Sequence, residues 1–330
     1  TPVVRTYSVT AGDTTNTFTT TVPEIVAENG YIIVGYTKNK QSTQVDLTSG
    51  EQNALVTNGD VYYAVCKKVL NLTYNANGKT LINSLPSAKS VNRFAIATEA
   101  GSIYQTDSVT ISATVPQVKG YAFQGWNTNA DGSGSNYQPS STITEISDDT
   151  TLYAIWQLET YTITYKDSTG IIDGLTPDSY NIESTDVLPN YEKTGFTFNY
   201  WVAEEDSGDW STLGQYNAGT VLTGKTGNVV LVASVNATNL VFNGEVMPNA
   251  TYNKSYSYKF GQVTGGTGNY TYEIVNNSLP TGLELNASTQ TISGVVTARA
   301  DTYIISIRAK DTLSNATVVA NFTLTIEKAK

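Results

Sequence analysis

One segment occurs three times in this chain, and that repetition constrains the fold more than any other feature of the sequence. Gly120-Tyr121-Ala122-Phe123-Gln124-Gly125-Trp126 reappears as Gly195-Phe196-Thr197-Phe198-Asn199-Tyr200-Trp201, and in looser form as Gly30-Tyr31-Ile32-Ile33-Val34-Gly35-Tyr36. Each is followed by a second shared run: Val61-Tyr62-Tyr63-Ala64-Val65-Cys66, Thr151-Leu152-Tyr153-Ala154-Ile155-Trp156 and Val230-Leu231-Val232-Ala233-Ser234-Val235. From the leading glycine to the common alanine the separation is 34 residues in the first two copies and 38 in the third. Alternation within the runs predicts half-buried strands, with Tyr121, Phe123 and Gly125 on one face and Ala122, Gln124 and Trp126 on the other. Opening strands are expected at Leu70-Asn71-Leu72-Thr73-Tyr74 and Tyr161-Thr162-Ile163-Thr164-Tyr165, each entering a turn at Asn77-Gly78 or Thr169-Gly170. Pro23, Pro116 and Pro189 precede the leading glycines, and proline at a start with glycine past an end predicts a short helix in each copy. The unit therefore reads strand, strand, short helix, strand, strand.

Composition supports a mainly β chain. About a third of the 330 residues are Ser, Thr, Asn or Gln, and only 15% are charged, against roughly 25% in an ordinary domain. Together with 22 tyrosines, this suits many short strands better than helices. The absence of histidine excludes Ser-His-Asp and Cys-His catalytic units and any histidine-bearing zinc site. One cysteine, Cys66, excludes an intrachain disulfide and a thiolate metal cluster; it is expected to be a small buried hydrophobe. A lone cysteine in an extracellular chain fits a bacterial surface with little disulfide use. A net charge of −10 argues against nucleic acid and anionic membranes, which require a basic face. No apolar run approaches the ~18 residues of a membrane span. The chain opens at Thr1 without a charged or apolar leader, and no anchor follows Lys330, so a mature or excised fragment is expected, its signal peptide and anchor lying outside it.

The tyrosine-rich opening strand, Gly-Tyr-x-Phe-x-Gly-Trp, the Asn127-Thr128-Asn129-Ala130-Asp131-Gly132-Ser133-Gly134 turn and Leu152-Tyr153-Ala154-Ile155-Trp156 resemble the Listeria–Bacteroides repeat, the internalin-type B repeat. The resemblance implies small β-grasp-like (β-rich α+β) domains in tandem on bacterial surface proteins. It places a degenerate copy at residues 1–67, the closest copy at 68–157 and a third at 158–236, where Tyr200 stands in place of Gly125. Residues 237–330 have a different rhythm of short strands and Gly/Asn/Pro turns that suggests a β-sandwich. Gly265-Gly266-Thr267-Gly268-Asn269-Tyr270, Leu279-Pro280-Thr281-Gly282-Leu283 and Thr291-Ile292-Ser293-Gly294 resemble the Ig/cadherin-like domains of bacterial surface proteins, with Val295-Val296 in place of the usual Thr-Pro. Short joins at 157–160 and 235–239 suggest an elongated arrangement with limited bending.

Several motifs invite a chemical reading. Asn127-x-Asn129-x-Asp131-Gly132 mimics the start of a calcium loop, but its twelfth residue is Gln138 where a bidentate Glu is needed, so an Asn/Asp/Gly turn is the simpler reading. Ala309-Lys310-Asp311 resembles a cadherin-type calcium ligand run without its acidic partners at the join. Leu279-Pro280-Thr281-Gly282 lacks the intervening residue and apolar tail of a sorting signal. Lys259 is the candidate for an intramolecular isopeptide bond, which requires a buried lysine. Trp126 and Trp156 fall at repeat-defining core positions, whereas Trp210 is expected to be exposed and is the candidate ligand-binding residue, a platform for sugar stacking. No catalytic residue, metal site or cofactor is expected. The sequence supports a non-enzymatic, monomeric fragment of an extracellular bacterial surface protein. It would act as adhesin or spacer, with a host surface protein or glycan as partner; the alternative is a set of carbohydrate-binding accessory modules.

Overall fold

In a computed structural model, residues 17–20, 30–51, 54–57 and 59–329 are described, and every regular element among them is a strand. The helix expected before Gly30 falls on residues outside the described set. The other two expected helices are absent: residues 112–117 and 189–192 carry no regular structure apart from a bend. Such short Pro-to-Gly segments cannot complete the costly first turn of a helix. Nearby backbone groups bond across the domain instead, with Leu188 N–H donating to Thr220 O at 2.9 Å and Ile82 N–H to Gln117 O at 2.8 Å. The strand order of the expected unit survives without its helix.

The chain divides into two compact units between Glu159 and Thr160. In the first, the 13-residue strand Tyr63–Asn75 serves two copies at once. Its first part pairs antiparallel with Ile32–Thr37, and its last part pairs parallel with Thr150–Leu158. Along its other edge lies Lys89–Thr98, from Val65↔Ile96 to Leu72↔Lys89, followed by the hairpin strand Gly101–Thr106. Residues 67 and 68, where one copy was expected to end and the next to begin, are thus adjacent in one strand of an eight-stranded sheet. Leu70, Leu72 and Tyr74 alternate inward from it into the core beneath the second copy.

The second unit begins with the third copy. Tyr161–Asp167 pairs parallel with the central strand Val229–Ala237, which pairs antiparallel with Phe196–Ala203. All three copies share one irregularity. Ile33 faces Cys66 and Gly35 faces Val65; Phe123 faces Trp156 and Gly125 faces Ile155; Phe198 faces Val235 and Tyr200 faces Ser234. The extra residue is Val34, Gln124 or Asn199, a β-bulge at the same place each time. It corrects the strict alternation expected from the sequence: the bulge returns Phe123 and Trp126 to one face, where both join the same core.

Residues beyond the third copy form a sandwich of a four-stranded and a three-stranded sheet. In the long strands Thr302–Asp311 and Thr317–Glu327, Ile305, Ile307 and Ala309 alternate inward opposite Ala320, Phe322, Leu324 and Ile326. Phe242, Phe260, Tyr272 and Phe322 meet at the centre, with ring centroids 5.3–6.0 Å apart.

Candidate functional site

The repeat-defining aromatics converge on the cores. In the second copy Trp126 is fully buried, with Tyr74 at 4.8 Å and Phe123 at 5.2 Å between ring centroids. In the third, Trp201 is fully buried with Tyr165 at 4.8 Å and Phe198 at 5.1 Å. Opening strand and bulged strand thus build one aromatic trio twice. The two differ at the indole nitrogen. Trp201 Nε1 donates to Pro189 O at 2.8 Å, whereas Trp126 Nε1 is buried with no acceptor among the described residues. Trp156 packs on Phe123 and donates Nε1–H to Ala76 O at 3.0 Å.

Trp210 is not the exposed platform expected of it. Only 1% of it is accessible, and its Nε1 donates to Tyr180 Oη at 2.7 Å; Tyr180 Oη in turn donates to Gly227 O at 2.6 Å. Tyr216 packs edge-on at 4.8 Å, and the Lys225 ammonium sits 4.8 Å from the indole centroid. The Ser207–Trp210 bridge folds this loop residue inward, so the ring completes the third core and offers no face to a sugar.

The polar motifs are consumed locally. Asn127 Oδ1 accepts from Asn129 N–H at 2.7 Å and Gly134 N–H at 3.0 Å, while its amide donates to Gly132 O, Gly134 O and Asn136 Oδ1. Asp131 Oδ1 accepts from Ser133 N–H and Oγ–H. These oxygens point at N–H and O–H donors, the arrangement of a self-capped turn. Gln138 spends its amide on Gln124 O, the carbonyl of the bulge residue, at 3.0 Å. Lys259 is exposed on the strand Ser255–Lys259, which removes the buried lysine that an isopeptide bond requires. Residues 279–282 form a turn whose Thr281 O accepts from Thr297 and Ala298 N–H. Among the described residues no group of three or more His, Cys, Asp or Glu gathers where it could hold a metal.

Two buried carboxylates escaped the sequence reading as structural elements. Asp167 accepts from Tyr191 Oη at 2.7 Å, Lys193 Nζ at 2.6 Å and Thr169. Burial pushes its pKa up, but the Lys193, Thr169 and Tyr191 hydrogen bonds outweigh this and hold it well below the usual carboxylate range. Tyr191 is pushed up to about 12 by burial and by that carboxylate. Asp311 is fully buried and accepts from Thr267 Oγ1 at 2.8 Å and from Leu313 and Ser314 N–H, both at 2.9 Å. Burial raises its pKa too, and again the donors win and leave it strongly depressed. Its place was legible: Ile305, Ile307, Ala309 and Asp311 share one parity, which puts a carboxylate on the buried face.

Comparison with known families agrees with this architecture. The Listeria-Bacteroides repeat domain matches residues 71–155 and 161–234, and the family described as "Putative Ig domain" matches 232–327. This chain carries two Listeria-Bacteroides repeats followed by an Ig-like domain. The aromatic trios are thus repeat-core features, and the sandwich is the Ig-like domain. A protein from Evansella cellulosilytica named "Putative Gly-rich membrane protein" is 29% identical over 195 residues, 55% of this chain and 22% of that protein, so the chain spans about a fifth of that relative's length. Among solved structures, the protocadherin gamma B7 extracellular cadherin domains 1–4 align with a TM-score of 0.29 at 9% identity, covering 63% of this chain and 66% of that one. A SusE-like surface-located polysaccharide-binding protein from Bacteroides thetaiotaomicron aligns at 0.24 with 13% identity, covering 94% and 53%. At such scores neither neighbour bears on function. Among the described residues no helix is long and apolar enough to cross a membrane.

Proposed function

We propose that this chain is a non-catalytic stretch of an extracellular bacterial surface protein whose repeats act as a spacer for binding elements carried elsewhere. The observation that carries this reading is where the repeat signature is spent. Tyr74, Phe123, Trp126 and Ala154, like Tyr165, Phe198, Trp201 and Ala233, all pack into the domain cores. Residues kept from copy to copy thus serve folding. Function resides in sites and not in folds, and a module whose recurrent residues are internal is suited to repetition. The carbohydrate-binding alternative is left without its exposed ring, because Trp210 is buried.

The test is saturable binding of labelled 1–330 to mucin, epithelial cells and a glycan array, with the chain acting as its own cold competitor. A spacer gives no saturable component on any of the three. Saturable, self-competed binding would replace this reading with an adhesin.

A further inference from the structure

The third repeat meets the Ig-like domain through a contact that a simple linker does not need. The ladder of the repeat continues past its last strand, with Thr238 N–H donating to Gly195 O at 2.8 Å. Three residues later, already within the Ig-like domain, Val241 and Thr264 exchange backbone hydrogen bonds at 2.9 Å each, which hold the start of that domain against its loop 264–268. That loop is packed on three sides. A β-carbon at Gly265 would lie 2.1 Å from Asn239 O in the linker, and one at Gly266 would lie 2.3 Å from Asp311 Oδ2. On the side of the repeat, a β-carbon at Gly195 would lie 2.5 Å from Thr267 Cγ2 and 2.6 Å from the Gly266 carbonyl carbon. The equivalent glycine of the first copy, Gly30, has the same left-handed backbone (φ +76° against +81°) but meets only Lys68 Cε at 3.8 Å. Left-handed backbone explains a glycine at both positions; at Gly195 the loop of a second domain approaches as well.

We propose that residues 264–268 are a latch that fixes the third repeat against the Ig-like domain, with Asp311 as its anchor and Gly195 as its seat. Thr267 joins the two: its N–H and Oγ1–H are held by the Asp311 carboxylate, and its methyl faces Gly195. A loop so pinned at one end and seated at the other converts a short linker into an elbow of fixed angle. The elbow sets the angle at which the Ig-like domain is held on the third repeat. The inference rests on the contacts of this junction and not on whether the chain itself binds a ligand.

The test measures distance across the junction in the full chain. Nitroxide labels are placed at Ala218→Cys in the repeat and Ala287→Cys in the Ig-like domain, both exposed positions, with the native thiol removed as Cys66→Ala. Double electron–electron resonance should give one narrow distance distribution. Thr267→Ala, which removes the Oγ1–H bond to Asp311 and the methyl seat while leaving the backbone N–H bond, should broaden it severalfold while circular dichroism keeps both domains folded. Gly195→Ala should do the same by displacing the loop from its seat. A broad distribution in the parent chain, or a narrow one that persists in the folded Thr267→Ala chain, overturns the proposal.

Discussion

The two aromatic trios differ at the indole nitrogen, and this predicts a measurable asymmetry between Trp126→Phe and Trp201→Phe. Both rings are fully buried and pack on a matching tyrosine and phenylalanine, so the loss of volume costs each repeat a similar amount. In the third repeat the change also breaks the 2.8 Å bond to Pro189 O and strands a half-buried carbonyl, a further ~1–2 kcal/mol. In the second repeat it deletes a buried indole N–H that has no acceptor among the described residues, which returns about 1–2 kcal/mol of desolvation cost. Trp201→Phe should therefore be more destabilising than Trp126→Phe by roughly 2–4 kcal/mol, the sum of the two polar effects. Hydrogen exchange read by mass spectrometry separates the repeats within one chain, through peptides covering 70–75 and 161–167. Equal losses of protection, or a larger loss at 70–75 in Trp126→Phe, would refute the reasoning and show that the Trp126 N–H is satisfied in solution.

Other consequences follow from the same contacts. Asp167 and Asp311 have depressed folded pKa values, so their stabilisation is complete above the unfolded value of about 3.9 and is lost as pH falls toward the folded values. Residues 160–330 should thus lose on the order of 2 kcal/mol per carboxylate between about pH 4 and pH 2, seen as earlier acid loss of exchange protection there than in residues 60–159. Leu70 is fully buried on the strand shared by the first two copies, so Leu70→Ala should cost about 2–5 kcal/mol and lower protection in Ile32–Thr37 and Thr150–Leu158 together; loss in only one of them would argue against a single cooperative sheet. Cys66 is buried and its thiol pKa is raised by that burial, so it should resist alkylation at neutral pH until the chain is unfolded, as intact mass will report.

The sequence carried the repeat and its core aromatics because spacing and period are one-dimensional signals: the 34-residue offsets and the inward parity of Leu70, Leu72 and Tyr74 need no knowledge of partners. The bulge was invisible because Val34, Gln124 and Asn199 have no property in common; what recurs is an extra residue, which flips every face beyond it. Proline before glycine is equally compatible with a helix and with the extended connection found at Pro116 and Pro189. Trp210 was misplaced because its environment is assembled from Tyr180, Tyr216 and Lys225, up to 30 residues away in sequence. Asp311 was readable as buried from its parity, but its donors on Thr267 come from a loop 44 residues earlier, which no local pattern announces.

The central claim is that these domains space and orient without binding. The most direct measurement displays residues 1–330 on a cell between an anchor and a reporter domain of known ligand, beside an identical cell lacking the reporter. The account predicts adhesion to surfaces coated with the reporter's ligand, and none by the reporter-free cell to mucin or epithelial cells. Adhesion of the reporter-free cell to either surface, competed by soluble chain, would contradict it.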